Sequence, residues 1–153
     1  MATVAVTGHT RIDPARSAAI ADELRAVLAR SSPGGLTGIS CLAQGADALF
    51  ADLVLEAGGR LEVVLPSHDY RARMVAPHYA ADFDRLRDAA ARVTVMPFRQ
   101  ASVRAYSAAN RVLLGRADLL VAVWNGLPGG PGGTAATVTA ARAAGLPVEV
   151  VRA

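Results

Sequence analysis

Apolar residues in this chain follow two alternating rhythms. Short runs rich in β-branched residues span Thr3–Thr7, Leu36–Leu42, Arg60–Leu65, Arg92–Met96, Asp118–Trp124 and Pro147–Val151. Three of the six stop directly at glycine or proline, at Gly8, Pro66 and Pro97, and the runs predict buried strands. The stretches between them have helical spacing. Asp13-Pro14 offers a capping acid and a first-turn proline, and Ile20, Leu24, Val27 and Leu28 then fall at helical spacing. Asp47 is expected to cap a helix that carries Leu49, Phe50, Leu53 and Val54 to a stop at Gly58-Gly59. Further helices are predicted at the end of the polar stretch Ser67–Ala91, over Ser102–Leu114, and over Thr134–Ala144 up to Gly145.

Strands that alternate with helices predict an α/β fold, doubly wound, with a mainly parallel sheet of about six strands and helices on both faces. At 153 residues, a single domain over 1–153 is expected. A chain this long buries roughly two-thirds of its unfolded surface, enough for a true core. In such folds ligands sit beyond the carboxyl ends of the strands. The loops after the strands therefore nominate the site: Gly8 to Arg11, Ala43 to Asp47, Pro66 to His68, Pro97 to Arg99 and Trp124 to Thr134.

Composition narrows the field. Aromatics make up 5% of the chain, too few for a platform that stacks bases. All 16 basic residues are arginine, spread without a long run, and the net charge is +3. On these grounds nucleic acid is not expected as a partner. Cys41 is the only cysteine, which excludes an intramolecular disulfide and fits a cytoplasmic protein. No apolar run approaches the ~20 residues of a membrane span, so no membrane partner is expected. A P-loop needs a lysine that the chain lacks, and the dinucleotide pattern G-x-G-x-x-G is absent after the first strand. His68 and His78 have no standard zinc spacing, so no metal and no cofactor are expected.

The strongest chemical signal is a strand ending in Trp124-Asn125, a glycine-rich turn from Gly126 to Gly133, and a helix opening at Thr134. The first N–H groups of a helix have no partners within it, and the helix dipole favours an anion there. Gly132, Gly133 and Thr134 are thus the candidate phosphate cradle. Gly8, Thr10 and Arg11 form a second glycine turn with two donors. Gly45 admits the close approach of a ligand while Asp47 or Gln44 offers a hydrogen bond to a ribose hydroxyl, and Trp124 is a candidate wall for a base. His9 has no carboxylate at a telling spacing, and Cys41 reads as a small buried residue.

In order, TGHT at 7–10, QGAD at 44–47, ADLLVAVWNG at 117–126 and GGT at 132–134 resemble the SLOG superfamily. This Rossmann-like group joins the DNA-processing protein A (Smf) domain and the LOG or "lysine decarboxylase-like" proteins. The resemblance implies a site for a purine ribonucleotide or an ADP-ribose-like molecule, with Asn125 beside Trp124 and Asn110 as a further polar contact. It also implies a homodimer paired through alanine-rich helix faces. LOG enzymes cleave the glycosidic bond of nucleoside monophosphates and carry P-G-G-x-G-T-x-x-E. Here Gly133 and Thr134 match the G-T pair, while Pro128-Gly129-Gly130 is displaced by one residue. Thr137 stands where the glutamate is expected, and Ala136 where sensor-type relatives carry an acid. A binder without catalysis is therefore the leading expectation. A LOG-type phosphoribohydrolase using a displaced acid such as Asp47 or Asp69 is the first alternative, and a DNA-binding module the second.

Overall fold

The computed structural model describes residues 1–153. It contains the strands β1 (Ala2–Gly8), β2 (Leu36–Ser40), β3 (Arg60–Leu65), β4 (Arg92–Val95), β5 (Leu119–Trp124) and β6 (Val148–Arg152). The helices are α1 (Ser17–Ser31), α2 (Ala46–Glu56), α3 (Tyr70–Met74), α4 (Ala80–Ala89), α5 (Val103–Arg116) and α6 (Thr134–Ala143). The strands form one sheet in the order β4-β3-β2-β1-β5-β6, and all five pairings are parallel. The expected α/β fold is what the chain adopts.

Strand residues alternate between two faces, as the period of 2 requires. Val4 and Val6 of β1 join a cluster of 24 buried residues packed with α1, α2 and α4. Ala5 points the other way, into a cluster of 7 with Ala109 and Leu113 of α5 and Ala141 of α6. One face is thick and carries the only two fully buried phenylalanines, Phe50 and Phe83. The other is thin and built from small residues, so α5 and α6 lie close to the sheet.

The element edges depart from expectation in instructive ways. Asp13 does organise the start of α1, but as a turn: its Oδ1 accepts from Ala15 N at 2.9 Å and its carbonyl from Arg16 N at 2.8 Å. The regular helix therefore begins at Ser17, later than the Asp13-Pro14 signal. Asp47 does not cap α2. Gly45 holds the cap position and Asp47 lies inside the first turn. Ser102 caps α5, its hydroxyl accepting from Ala105 N at 3.1 Å. β2 ends at Ser40, two residues short of the predicted run, because Leu42 turns into the left-handed region at φ 54°.

The sheet order locates the crevice. The chain lays down β1 to β4 in one direction, then returns to place β5 beside β1. At that reversal the loops after β1 and β5 diverge to opposite faces and leave a gap beyond the strand ends.

Candidate functional site

A cleft of about 770 Å³ fills that gap. The loop after β1 gives it Gly8 to Arg11, the loop after β2 gives Cys41, Ala43 and Gln44, and α2 gives Asp47. Tyr70 and Met74 come from α3, His78 from the turn before α4, Tyr106 and Asn110 from α5, and Trp124, Asn125, Leu127 to Gly129 and Gly132 to Ala135 close the far side. Every residue nominated from the sequence lines this cleft except Gly45.

Gly45 is needed for the backbone around the site. Its φ is +88°, and a Cβ there would sit 2.5 to 2.6 Å from atoms of the His9 and Thr10 backbone. What approaches Gly45 is the loop after β1, and Ala46 N donates to His9 O at 3.1 Å. Gly8 is also a packing position, since a Cβ would meet Ala46 Cβ at 2.4 Å. These two glycines lock the first loop onto the start of α2.

The opposite wall is the glycine-rich turn and α6. Gly133 is the cap residue, and the N–H groups of Thr134, Ala135 and Ala136 find no acceptor within the chain. Three side chains shape the turn that leads to them. Trp124 Nε1 donates to Leu127 O at 3.0 Å, Asn125 Oδ1 accepts from Leu127 N at 3.0 Å, and Asn110 Nδ2 donates to Gly132 O at 3.3 Å. His9 Nε2 accepts from Asn125 N at 3.1 Å. An imidazolium has no lone pair for that bond, so this contact belongs to the neutral ring and ties the loops after β1 and β5 together. Thr137, at the position of the LOG glutamate, is buried and returns its hydroxyl to Gly133 O at 2.9 Å.

The inner end of the cleft is where the electrostatics change. Asp47 is 8% exposed, and its Oδ2 accepts from Ala43 N at a long 3.4 Å. Burial pushes its carboxyl up to about 7, against the smaller lowering effect of that bond. Cys41 is raised far above the ordinary thiol range by burial and by the Asp47 charge. It is partly exposed and lines the cleft, unlike the sealed residue expected. Tyr70 and Tyr106 pack edge to face, centroids 6.3 Å apart, and Tyr79 donates its hydroxyl to Leu42 O at 2.9 Å. Both Tyr70 and Tyr79 are raised by burial first and by Asp47 next. Left-handed Leu42 adds backbone strain beside this cluster.

The sequence missed Tyr70, Met74, His78 and Tyr106 as lining residues. Tyr106 did show helical spacing with Asn110, which is the signal that would have found it. Tyr70 and His78 stand in the polar stretch that carried no clear periodicity.

No protein-family model matches the chain, and no curated protein matches it in sequence. Solved structures do share its fold. DNA processing protein A from Streptococcus pneumoniae is 18% identical with a TM-score of 0.69, covering 98% of this chain and 50% of its own. DNA processing protein A from Helicobacter pylori, described by its single-stranded DNA binding mode, is 17% identical with a TM-score of 0.69, over 97% of this chain and 64% of its own. The molybdenum cofactor carrier protein of Chlamydomonas reinhardtii is 21% identical with a TM-score of 0.60, over 97% and 75%. The chain thus spans half the length of the Streptococcus protein. The fold implied by the SLOG resemblance is the fold observed.

One expectation is overturned. Scattered arginines and scarce aromatics give no expectation of a nucleic-acid partner, yet proteins of this fold include one described by its single-stranded DNA binding mode. The composition argument failed because scatter along the sequence is not scatter in space. Arg25, Arg30, Arg71, Arg85 and Arg87 pair with carboxylates. Among the arginines without a salt bridge, Arg11, Arg73, Arg99 and Arg104 follow β1, β3 and β4 at the carboxyl ends of the strands, and Arg11 lines the cleft itself. No helix is long and apolar enough to cross a membrane.

Proposed function

We propose that this cleft binds a nucleotide or nucleotide derivative, its phosphate held at the start of α6. The reading rests on one observation above the others: three consecutive N–H groups without acceptors, Thr134 to Ala136, at the rim of a cleft of nucleotide size. Gly132, Gly133 and Thr134 form the cradle. Gly8, Thr10 and Arg11 face it from the loop after β1. Gln44 and Asp47 contact the nucleoside from the other end of the cleft, and Trp124, Asn125 and Asn110 border it and keep the turn in shape. Gly45 supports this arrangement from behind. The positions of Ala136 and Thr137 put no carboxylate beside the cradle, which favours a binder over a LOG-type hydrolase.

A substitution at Thr134 tests the cradle without disturbing the helix. Thr134 is the first helical residue, where proline is tolerated, and Gly133 at ψ −172° is extended, outside the α region that a following proline disfavours. Thr134→Pro deletes one cradle N–H and the hydroxyl. Thermal melting with inorganic phosphate, AMP and ADP-ribose is the readout, since a ligand at 100 times its Kd adds about 2.7 kcal/mol. The variant is expected to melt like the parent alone and to lose the ligand-induced rise. An undiminished rise would remove the cradle from the site.

Single-stranded nucleic acid is the second reading, favoured by the unpaired Arg11, Arg73, Arg99 and Arg104 and by the Helicobacter protein of the same fold. A strand that neutralises several of these arginines binds with a steep salt dependence, a mononucleotide with a shallow one. Titrating oligo-dT and AMP at two salt concentrations separates the readings.

A further inference from the structure

Asp47 is the only residue with a formal charge that this fold buries. Uncompensated burial of a carboxylate is costly, so such groups are as a rule paired or hydrogen-bonded. Asp47 has no salt bridge, and one oxygen takes only the long 3.4 Å contact from Ala43 N. The other, Oδ1, receives nothing from the chain, yet no buried side-chain oxygen lacks a partner, so Oδ1 is open to the cleft that Asp47 lines. The titratable groups around it are Cys41 at the end of β2, Tyr70 of α3 and Tyr79 before α4, with Tyr106 of α5 beside Tyr70. His9, His78 and Arg11 line the same cleft, and none is bonded to it.

We propose that Asp47 determines specificity in this cleft, its carboxylate receiving a vicinal pair of neutral donors from the same ligand whose phosphate lies at α6. The inference rests on the nucleotide reading and narrows it. β2 and β5 flank β1, so the Asp47 end and the cradle are two strand spacings apart, roughly 10 Å. A single nucleotide spans that distance. Two parts of a nucleotide carry paired donors: the 2′,3′-diol of ribose and the amino–imino edge of guanine. A carboxylate accepts either pair with charge-assisted bonds, whereas a protonated carboxyl has lost the charge and turned one oxygen into a donor, which fits a pair of donors less well. With Asp47 titrating near 7, selectivity for the donor-bearing ligand rises across neutral pH.

Binding of AMP against 2′-deoxy-AMP, and of GMP against IMP, measured by calorimetry at pH 6 and pH 8, tests this. Each pair carries the same phosphate, so the cradle and its repulsion by Asp47 cancel in the ratio. One ratio is expected to reach about tenfold or more at pH 8 and to shrink clearly at pH 6. In Asp47→Asn, which keeps an acceptor oxygen without the charge, the ratio falls and no longer depends on pH. An effect in the AMP pair identifies the diol, and one in the GMP pair the base edge. Ratios near one in both pairs, or a ratio indifferent to pH or unchanged in Asp47→Asn, overturn the proposal while the nucleotide reading stands. If none of the four ligands binds, both fall. The wild-type ratios decide the matter without the variant.

Discussion

The two walls of the cleft recognise by different means. The α6 wall offers backbone N–H groups on a turn whose residues from Gly126 to Pro131 are exposed. The α2–α3 wall offers side chains, Asp47 and Tyr70, each under a tenth exposed and backed by the thick core cluster. A backbone wall depends on conformation, so substitutions act on it mainly by changing the turn. A side-chain wall depends on burial, which raises the worth of each polar group and the cost of leaving it unpaired. The first is suited to holding any phosphate, the second to choosing among ligands that have one.

The sharpest way to break this contrast uses two left-handed glycines. Gly45→Ala forces a Cβ onto the His9 and Thr10 carbonyls at 2.5 to 2.6 Å, at φ +88°. A loss on the order of 4 kcal/mol is expected, a large part of a typical domain's stability. Gly132→Ala, at φ +76°, comes no nearer to a neighbour than 3.4 Å, from Tyr106 Cβ. It costs about 1–2 kcal/mol of backbone strain and acts on phosphate binding. Urea denaturation of the two variants checks this. Equal losses would mean that the exposed turn is as much a part of the folded framework as the buried loop.

Next in size is the pH dependence that Asp47 imposes. Its carboxyl titrates at about 7 in the folded chain against 3.8 for the ordinary value, so the folded state holds a proton that the unfolded state has released. That contribution is complete below about pH 4 and is lost as pH rises through about 7, up to ~4 kcal/mol in all. Asp47→Asn cannot lose a proton. Its denaturation midpoint at pH 8 is expected to exceed that of the parent, and the difference between pH 5 and pH 8 to shrink. A parent whose stability climbs over that interval would show that Asp47 is ionised and well solvated in the fold.

The same contrast explains what could be read from the sequence. The β-branched runs gave all the strands to within a few residues, because a buried parallel sheet leaves its mark as continuous apolar stretches. The α6 wall was legible because glycines and a helix start are local features. The other wall was not. Asp47 read as a helix cap, since nothing local distinguishes a capping acid from one drawn into the first turn by packing. Tyr70, His78 and Tyr106 lie 36 residues or fewer apart in a stretch and a helix with no shared motif, and only the sheet order brings them to Asp47. Gly45 read as a ligand contact because the sequence shows that a close approach is needed there but not what approaches.

The smallest expected effect bears on how the exposed wall keeps its shape. Trp124 and Asn125 both act on Leu127, in the first half of the turn, whereas Asn110 of α5 and Thr137 of α6 reach the second half, through bonds to Gly132 O and Gly133 O. Asn110 is only partly buried, so Asn110→Ala removes a hydrogen bond without opening a core cavity. The stability loss is expected to be about 0.5–1 kcal/mol by denaturation. The turn ahead of Thr134 then samples more conformations, and a ligand must select the competent fraction, which raises the apparent Kd by the inverse of that fraction. AMP and 2′-deoxy-AMP should weaken by the same few-fold factor, because both carry the phosphate and the 2′-hydroxyl, their one difference, is not held by this turn. A change in their ratio on Asn110→Ala would couple the two walls through α5, where Tyr106 and Asn110 share a helix, and would end their treatment as separate devices.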